Sequence, residues 1–496
     1  MTDLKIMLII KFIKRKDVSI MKINAKKIVS VFMAVCIMLS FCIPVFAAAD
    51  IGRVSVTING DADTSRGFCW YTTEDAGTDL QLAPATENLD EAEIISGYSY
   101  PAMERYAHKV VADGLEPGTK YAYRVGDAET GEWSGIGYFT TSDKAEDEAN
   151  FIVFADVQAS NEENFRMAAD VLKQAVTVMP EYEFTVGLGD FVNDCTNEEW
   201  DSYFRNFAFT NMNTTIVPIT GNHEGNLQWF KFNNMFNIGA VEGSNTMTGC
   251  YYSFDWGDAH FAVLNTNDMY PMSLEQLNWL QNDMNASDAQ WKVVLMHRAL
   301  FSAGKNINKP DTLIMREHLL PVIDELGVDI VFAGHDHMYF RTQPVKDNQV
   351  VDVDTVTESY KGEEFTFDLN PAGTTHILPS TAGTKRYSVN TDAISPILDC
   401  GALVRDTEEG GVFATVSLDS EHFVYKAYMV DDETKETSLI DTYAVKKTER
   451  EAPSEDFENL PTDSDVNFME NIKNLLKQLV GVLLTYILKL LPQMVF

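Results

Sequence analysis

Basic residues are scarce: 38 Lys and Arg stand against 74 Asp and Glu in 496 residues, a formal net charge of -36. That balance excludes nucleic acid as an electrostatic partner, because holding its phosphates relies on clustered Lys and Arg. It argues for metal ions as the positive charge of any phosphate site. Cysteine is also sparse, with six in the chain. Cys69, Cys195, Cys250 and Cys400 are too widely spaced for a zinc motif and read as free or singly bridged structural residues. No internal repeat or low-complexity tract is present. Long apolar runs are confined to the two ends.

The first of these runs reads as a targeting segment. Lys22, Lys26 and Lys27 make a basic start, Ile28 to Phe46 is almost wholly apolar, and Ala47-Ala48-Ala49 offers small residues for cleavage. Residues 1–49 are therefore assigned to export, to the cell surface or beyond. At the other end, 448–467 is an acidic, proline-bearing linker, and 468–496 is an apolar helix with only Lys473, Lys477 and Lys489 as basic residues. Its length falls close to the roughly 20 residues a span requires, and association with a membrane surface is expected.

Between the ends, five short runs rich in β-branched and aromatic residues stop at residues a core does not need. They are Phe151–Ala155 before Asp156, Phe184–Gly189 before Asp190, Thr215–Ile219 before Thr220-Gly221-Asn222-His223-Glu224, Lys292–Met296 before His297, and Asp329–Gly334 before His335. Each reads as a buried strand. Sites in open α/β sheets form outside the carboxyl ends of strands, so these residues are expected to share one site. Ser160–Glu163 and Ser273–Gln276 read as N-terminal capping boxes, and Asp311 to Leu326 as a helix stopped by Gly327.

Residues 50–143 alternate as an all-β sandwich would, in runs such as Arg53–Ile58, Gly67–Thr72, Tyr106–Val111 and Lys120–Val125. Gly114 to Thr119, Tyr121 to Gly126, Trp133-Ser134 and Phe139 to Thr141 resemble the fibronectin type III-like front domain of purple acid phosphatases. Asp156-Val-Gln158, Gly189-Asp190-Phe-Val-Asn193, Gly221-Asn-His-Glu224, Val294-Leu-Met-His297 and Gly334-His-Asp-His337 resemble, in order, the five blocks of calcineurin-like metallophosphoesterases.

The resemblance implies an α/β catalytic domain over 150–447, a layered α/β/β/α sandwich behind the fibronectin III-like one. It also implies a ligand set for two divalent metal ions, iron, zinc or manganese. Asp156, Asp190 and His337 would hold one ion, and Asn222, His297 and His335 the other, with Asp190 bridging. His223 would protonate the leaving alkoxide of a phosphorylated small-molecule substrate as a metal-activated water attacks in line.

Two positions depart from the pattern. Gln158 stands where many relatives have His and the purple branch has Gly, and Asn193 where the purple branch has its coloured tyrosinate. Each is open as a weak ligand or as a partner of the ligands. Arg298 and Arg341 could contact phosphate or make ordinary ion pairs. The expected reaction is phosphate monoester hydrolysis, with phosphodiester hydrolysis or a catalytically dead surface binding protein as the rivals.

Overall fold

The computed structural model describes residues 50–225, 232–268, 273–389, 401 and 403–448. The targeting segment, most of the acidic linker, the apolar C-terminal helix and Cys400 lie outside them. Among the described residues no helix is long and apolar enough to cross a membrane.

The site-bearing strands form as their sequences require, but in two sheets. Call the first two strands of the chain β1 (Gly52–Thr57) and β2 (Ser65–Thr72), and the five that end at the site β3 (Ala149–Phe154), β4 (Phe184–Gly187), β5 (Thr215–Pro218), β6 (Trp291–Arg298) and β7 (Ile330–Gly334). β3, β4 and β5 run parallel side by side, flanked by the antiparallel strands 410–418, 422–431 and 437–446. β6 and β7 are parallel neighbours in a second, seven-stranded sheet with 259–263 and 375–379.

The period of two in a strand explains how the sheets stack. Along β6, Val293 and Leu295 face the core shared with Phe151, Val153, Phe184 and Val186 of the first sheet. Val294 and Met296 face the other way, into a core with Leu277, Leu280, Met315, Leu319 and Ile323. β7 repeats the division, with Ile330 and Phe332 on one side and Val331 and Ala333 on the other. A strand buried on both faces reads as one continuous apolar run, as both do. The second core is closed by helices α3 (Leu274–Ala286) and α4 (Pro310–Leu326), while α1 (Glu162–Val178) and α2 (Asn197–Asn206) belong to the first sheet's side. The layers are therefore helix, sheet, sheet, helix.

Helix ends follow local chemistry. Asn161, not Ser160, caps α1 by accepting the Asn164 amide at 3.1 Å, so that start lies one residue later than predicted. Ser273 caps α3 as expected, but the Gln276 side chain does not turn back to it. Its oxygen accepts from the Asn265 amide instead. Gly327 ends α4 in the left-handed region at φ 62°.

The β-rich N-terminal region is a two-sheet sandwich around Val56, Phe68, Trp70, Leu80, Tyr123, Val125 and Phe139. It does not hang from a linker as a separate body. β1 pairs in parallel with β5 through Thr57 and Ile216, so one sandwich sheet continues the catalytic sheet into a single twelve-stranded surface. Arg66 of β2 is wholly buried at this joint. It donates to Thr215 Oγ1 at 3.0 Å and to the carbonyls of Ala62, Ser65 and Thr140, with Trp256 and Phe139 rings against its guanidinium. Burial pushes its pKa down to about 9, and that cost is tolerable only because so many acceptors meet it. Arg53 and Arg105 add a second tie, both pairing with Asp201 of α2.

A candidate dinuclear metal centre

Each strand end turns abruptly. Asp156, Asp190 and His335 sit at φ 50°, 52° and 71°, and Gln158 at 35°, a left-handed region that non-glycine residues enter only under constraint. Neighbours over-determine these turns. The Asp156 carboxylate accepts the His335 amide at 3.0 Å, joining the ends of β3 and β7 across the two sheets. A Cβ at Gly221 would lie 2.2 Å from the Asp190 amide nitrogen, so only glycine allows the β4 and β5 loops this close.

The result is two overlapping groups of donors. Asp156, Asp190 and His337 form one, and Asp190, His297 and His335 the other, with candidate ligand atoms in each within 4.8 Å of one another. Asn222 Oδ1 lies 3.2 Å from His297 Nε2. All six predicted metal-site residues therefore meet at one place, and Asp190 is common to both groups.

The imidazoles are aimed. His297 Nδ1 donates to the Leu188 carbonyl at 2.8 Å and His337 Nδ1 to the Lys385 carbonyl, which turns each Nε2 inward, to 3.3 Å from Asp190 Oδ2 and 3.4 Å from Asp156 Oδ1 respectively. Such backbone contacts fix tautomer and ring direction in metal ligands. His335 Nε2 is buried without a partner. Burial, then repulsion from His297 and Arg298, holds this ring well below its ordinary pKa, so it is neutral with a lone pair to give. Burial opposes the Asp190 charge, but the His297 and His223 rings and the His223 amide together outweigh it and keep Asp190 a carboxylate. Two carboxylates, a carboxamide and three imidazoles suit borderline divalent cations, and the orphaned nitrogen shows a place for one.

Comparison with known proteins agrees with this geometry. Residues 51–141 match the purple acid phosphatase N-terminal domain, and residues 149–339 match the calcineurin-like phosphoesterase family. This chain joins a purple acid phosphatase N-terminal domain to a calcineurin-like phosphoesterase domain. It is 24% identical over 302 residues to acid phosphatase type 7 of Mus musculus, covering 56% of this chain and 64% of that one. It is 24% identical over 322 residues to purple acid phosphatase 15 of Arabidopsis thaliana, covering 58% and 56%. The chain thus spans less than two thirds of either relative's length. The structure of purple acid phosphatase PPD1 from yellow lupin (Lupinus luteus) seeds aligns with a TM-score of 0.63 at 16% identity, over 80% of this chain and 75% of that one. That likeness is one of fold.

Within the phosphoesterase domain, His223 lies on the open side of the centre, its side chain 26% exposed and Nε2 3.9 Å from Asp190 Oδ2. Gln158 and Asn193 both converge on it. Asn193 accepts His223 Nδ1 on its carbonyl oxygen at 2.5 Å, and the Gln158 amide nitrogen meets Nε2 at 2.5 Å. The Gln158 amide also donates to Asn193 Oδ1 at 3.2 Å. The side chains of these two residues make no hydrogen bond to the carboxylates of Asp156 or Asp190; Gln158 meets the predicted acid, and the Asn193 amide goes to Asp194.

The arginines part company with the expectation of substrate contact. Arg341 is bound by Asp441 through Nε and Nη2, over the Tyr443 ring, in a cluster with Tyr339. A buried carboxylate holds it, which is the ion-pair alternative. Arg298 gives Nη1 to Asp311 at 2.8 Å, the ion-pair alternative, while its buried Nε meets no acceptor.

Two contributors carried no assignment in the sequence. Glu224 is buried and accepts the amides of Asp190, Phe191 and Gly221 at 3.0, 2.8 and 2.9 Å, lashing the β4 and β5 loops together. Its place in Gly221-Asn-His-Glu224 was the available signal. Tyr387 stacks on His337 with centroids 4.5 Å apart and planes 14° from parallel, and no motif marks it. Cys69, Cys195 and Cys250 are free and buried.

Proposed function

We propose that this chain is an exported dinuclear-metal phosphoesterase that hydrolyses phosphate monoesters. The observation that carries the reading is the convergence of six metal-type donors, in two groups sharing Asp190, at the mouth of two facing sheets.

Asp156, Asp190 and His337 would hold one divalent ion and Asn222, His297 and His335 the other. When bound, two such ions supply positive charge to phosphoryl oxygens and lower the pKa of water. The chain's own residues do the rest. Leu188 and Lys385 carbonyls hold two imidazoles in the ligand tautomer, and Glu224 fixes the loop of the bridging carboxylate. With Nδ1 tied to the Asn193 carbonyl, His223 turns its Nε2, which meets the Gln158 amide nitrogen, towards the open side of the centre. Protonated at Nε2, with the Gln158 amide displaced from it, the ring would give that proton to the departing alkoxide oxygen. Gln158, against the same nitrogen, orients the ring. Export rests on the basic and apolar pattern of residues 1–49, and contact with a membrane surface on the pattern of 468–496.

The test is hydrolysis of matched aryl phosphate monoester and diester substrates by the full chain loaded with manganese, zinc or iron. Monoester turnover that disappears in Asp190→Asn supports the proposal. Preference for the diester transfers the same centre to phosphodiester hydrolysis. No turnover with any metal leaves the binding-protein reading.

A further inference from the structure

The neighbourhood of Tyr387 runs against the charge of the rest of the molecule. Lys305 Nζ sits 3.8 Å from the centroid of the Tyr387 ring, and that ring is stacked on His337. Lys385 gives its backbone carbonyl to His337 and leaves its side chain exposed. Lys309 lies close by at the start of α4, and neither Lys305, Lys309 nor Lys385 forms an ion pair among the described residues. In a chain with 74 acidic side chains, these three ammonium groups lie near enough to repel one another with no ion pair among the described residues to offset it, and one of them sits on the ring that stacks on His337.

The segment that bears Lys305 is built, not loose. Asp336, between His335 and His337, is buried and turned away from the donors. Its carboxylate accepts Asn306 Nδ2 at 2.6 Å and packs so closely on Gly304 that a Cβ there would lie 2.5 Å from it. The Gly304 amide is in turn tied to Ser302 Oγ at 2.8 Å. The loop between two donor histidines thus anchors 302–306 and sets Lys305 on the face of Tyr387. Partial burial, then the charges of Lys385 and Lys309, lower the pKa of Lys305. Like charges held together cost Coulomb energy, and a bound anion would remove it.

We propose that Lys305 and Lys385, with Tyr387 as the wall between them and the metal centre, form a second anion subsite that holds another phosphoryl group of a polyphosphorylated small-molecule substrate. Lysine suits this role, since it presents three donors as a point charge and adapts to more than one phosphate position. The stacked ring sets the spacing, keeping the second group off the metal ligands. Lys309 adds field without a fixed contact. The inference deepens the phosphoesterase reading and rests on it for the first phosphoryl position.

The experiment is calorimetric binding of propane-1,3-bisphosphonate and of propylphosphonate to the metal-loaded full chain. The probes are non-hydrolysable, so the readout is independent of turnover. The bisphosphonate is expected to bind the wild type more tightly, and Lys305→Ala and Lys385→Ala each to lower the ratio of the two affinities about tenfold, the worth of one charge-assisted hydrogen bond. Lys305→Arg should keep most of the ratio, and Lys346→Ala, on a remote hairpin, all of it. Equal affinity of the two probes for the wild type overturns the subsite, as does an unchanged ratio in the alanine variants. Failure of the phosphoesterase reading would appear separately, as absent ester hydrolysis by the wild type.

Discussion

The carboxylate of Glu224 accepts the backbone amide of Asp190 at 3.0 Å, and through Phe191 and Gly221 it holds the loop that carries the one carboxylate common to both donor groups. Glu224 touches no reacting atom, yet the position of Asp190 depends on it.

Replacing Glu224 with Ala takes the acceptor from four buried amides, those of Asp190, Phe191, Val192 and Gly221. Unfolding stability should fall by about 1–3 kcal/mol, the usual cost of leaving buried polar groups without a partner. Metal content should fall with it. Glu224→Gln, which keeps an oxygen of the same reach, should retain more of both. Thermal unfolding with metal analysis of the two variants checks this, and equal behaviour of Ala and Gln would remove the anchoring role.

His223 is expected to matter in proportion to the basicity of the leaving group. His223→Asn should cost about 10²–10⁴ in kcat on an alkyl phosphate, whose alkoxide needs a proton, and far less on an aryl phosphate with an acidic phenol. Steady-state kinetics on the two substrates distinguish this from a loss of folding, which would lower both alike.

The five strand ends and their donors were legible because each apolar run stops at a residue with no use in a core. Their partition between two sheets was not, since β5 and β6 look alike as isolated runs and only packing assigns them. The joint between β1 and β5 has no local signal either: it is a single parallel pairing, Thr57 with Ile216, between segments far apart in sequence. The same holds for Tyr387 and Lys305, which reach the centre through tertiary contacts. Thr196 and Glu199 of α2 do form a reciprocal capping box, a signal as readable as the one at Ser160, where Asn161 instead takes the cap and accepts the amide three residues on. Arg341 shows the limit of proximity to a motif: it lies four residues after His337, yet its strand directs it to Asp441.

His376 is buried against Phe301 with neither ring nitrogen partnered, and burial pushes its pKa down to about 3. A neutral ring with an orphaned N–H pays the desolvation cost of that group. His376→Leu should therefore stabilise the fold, by about 1 kcal/mol, as a higher denaturation midpoint at neutral pH.

His260 behaves in the opposite sense. Burial disfavours its charge, but Asp255 at 2.7 Å and Asp283 at 2.9 Å outweigh that and raise its pKa to about 9. A base whose pKa is raised on folding stabilises fully below its unfolded value near 6.5, and the contribution fades as pH climbs towards 9. Denaturation midpoints should decline over that window in the wild type, and His260→Gln should flatten the decline.

The central claim is two metal ions sharing Asp190, and metal stoichiometry tests it most directly. Elemental analysis of the purified, metal-saturated chain should give two ions per molecule. Asn222→Ala should keep one, because the Asp156, Asp190 and His337 group survives, and Asp190→Asn should fall below one. Two ions retained by Asp190→Asn, or no more than one bound by the wild type, would contradict the account.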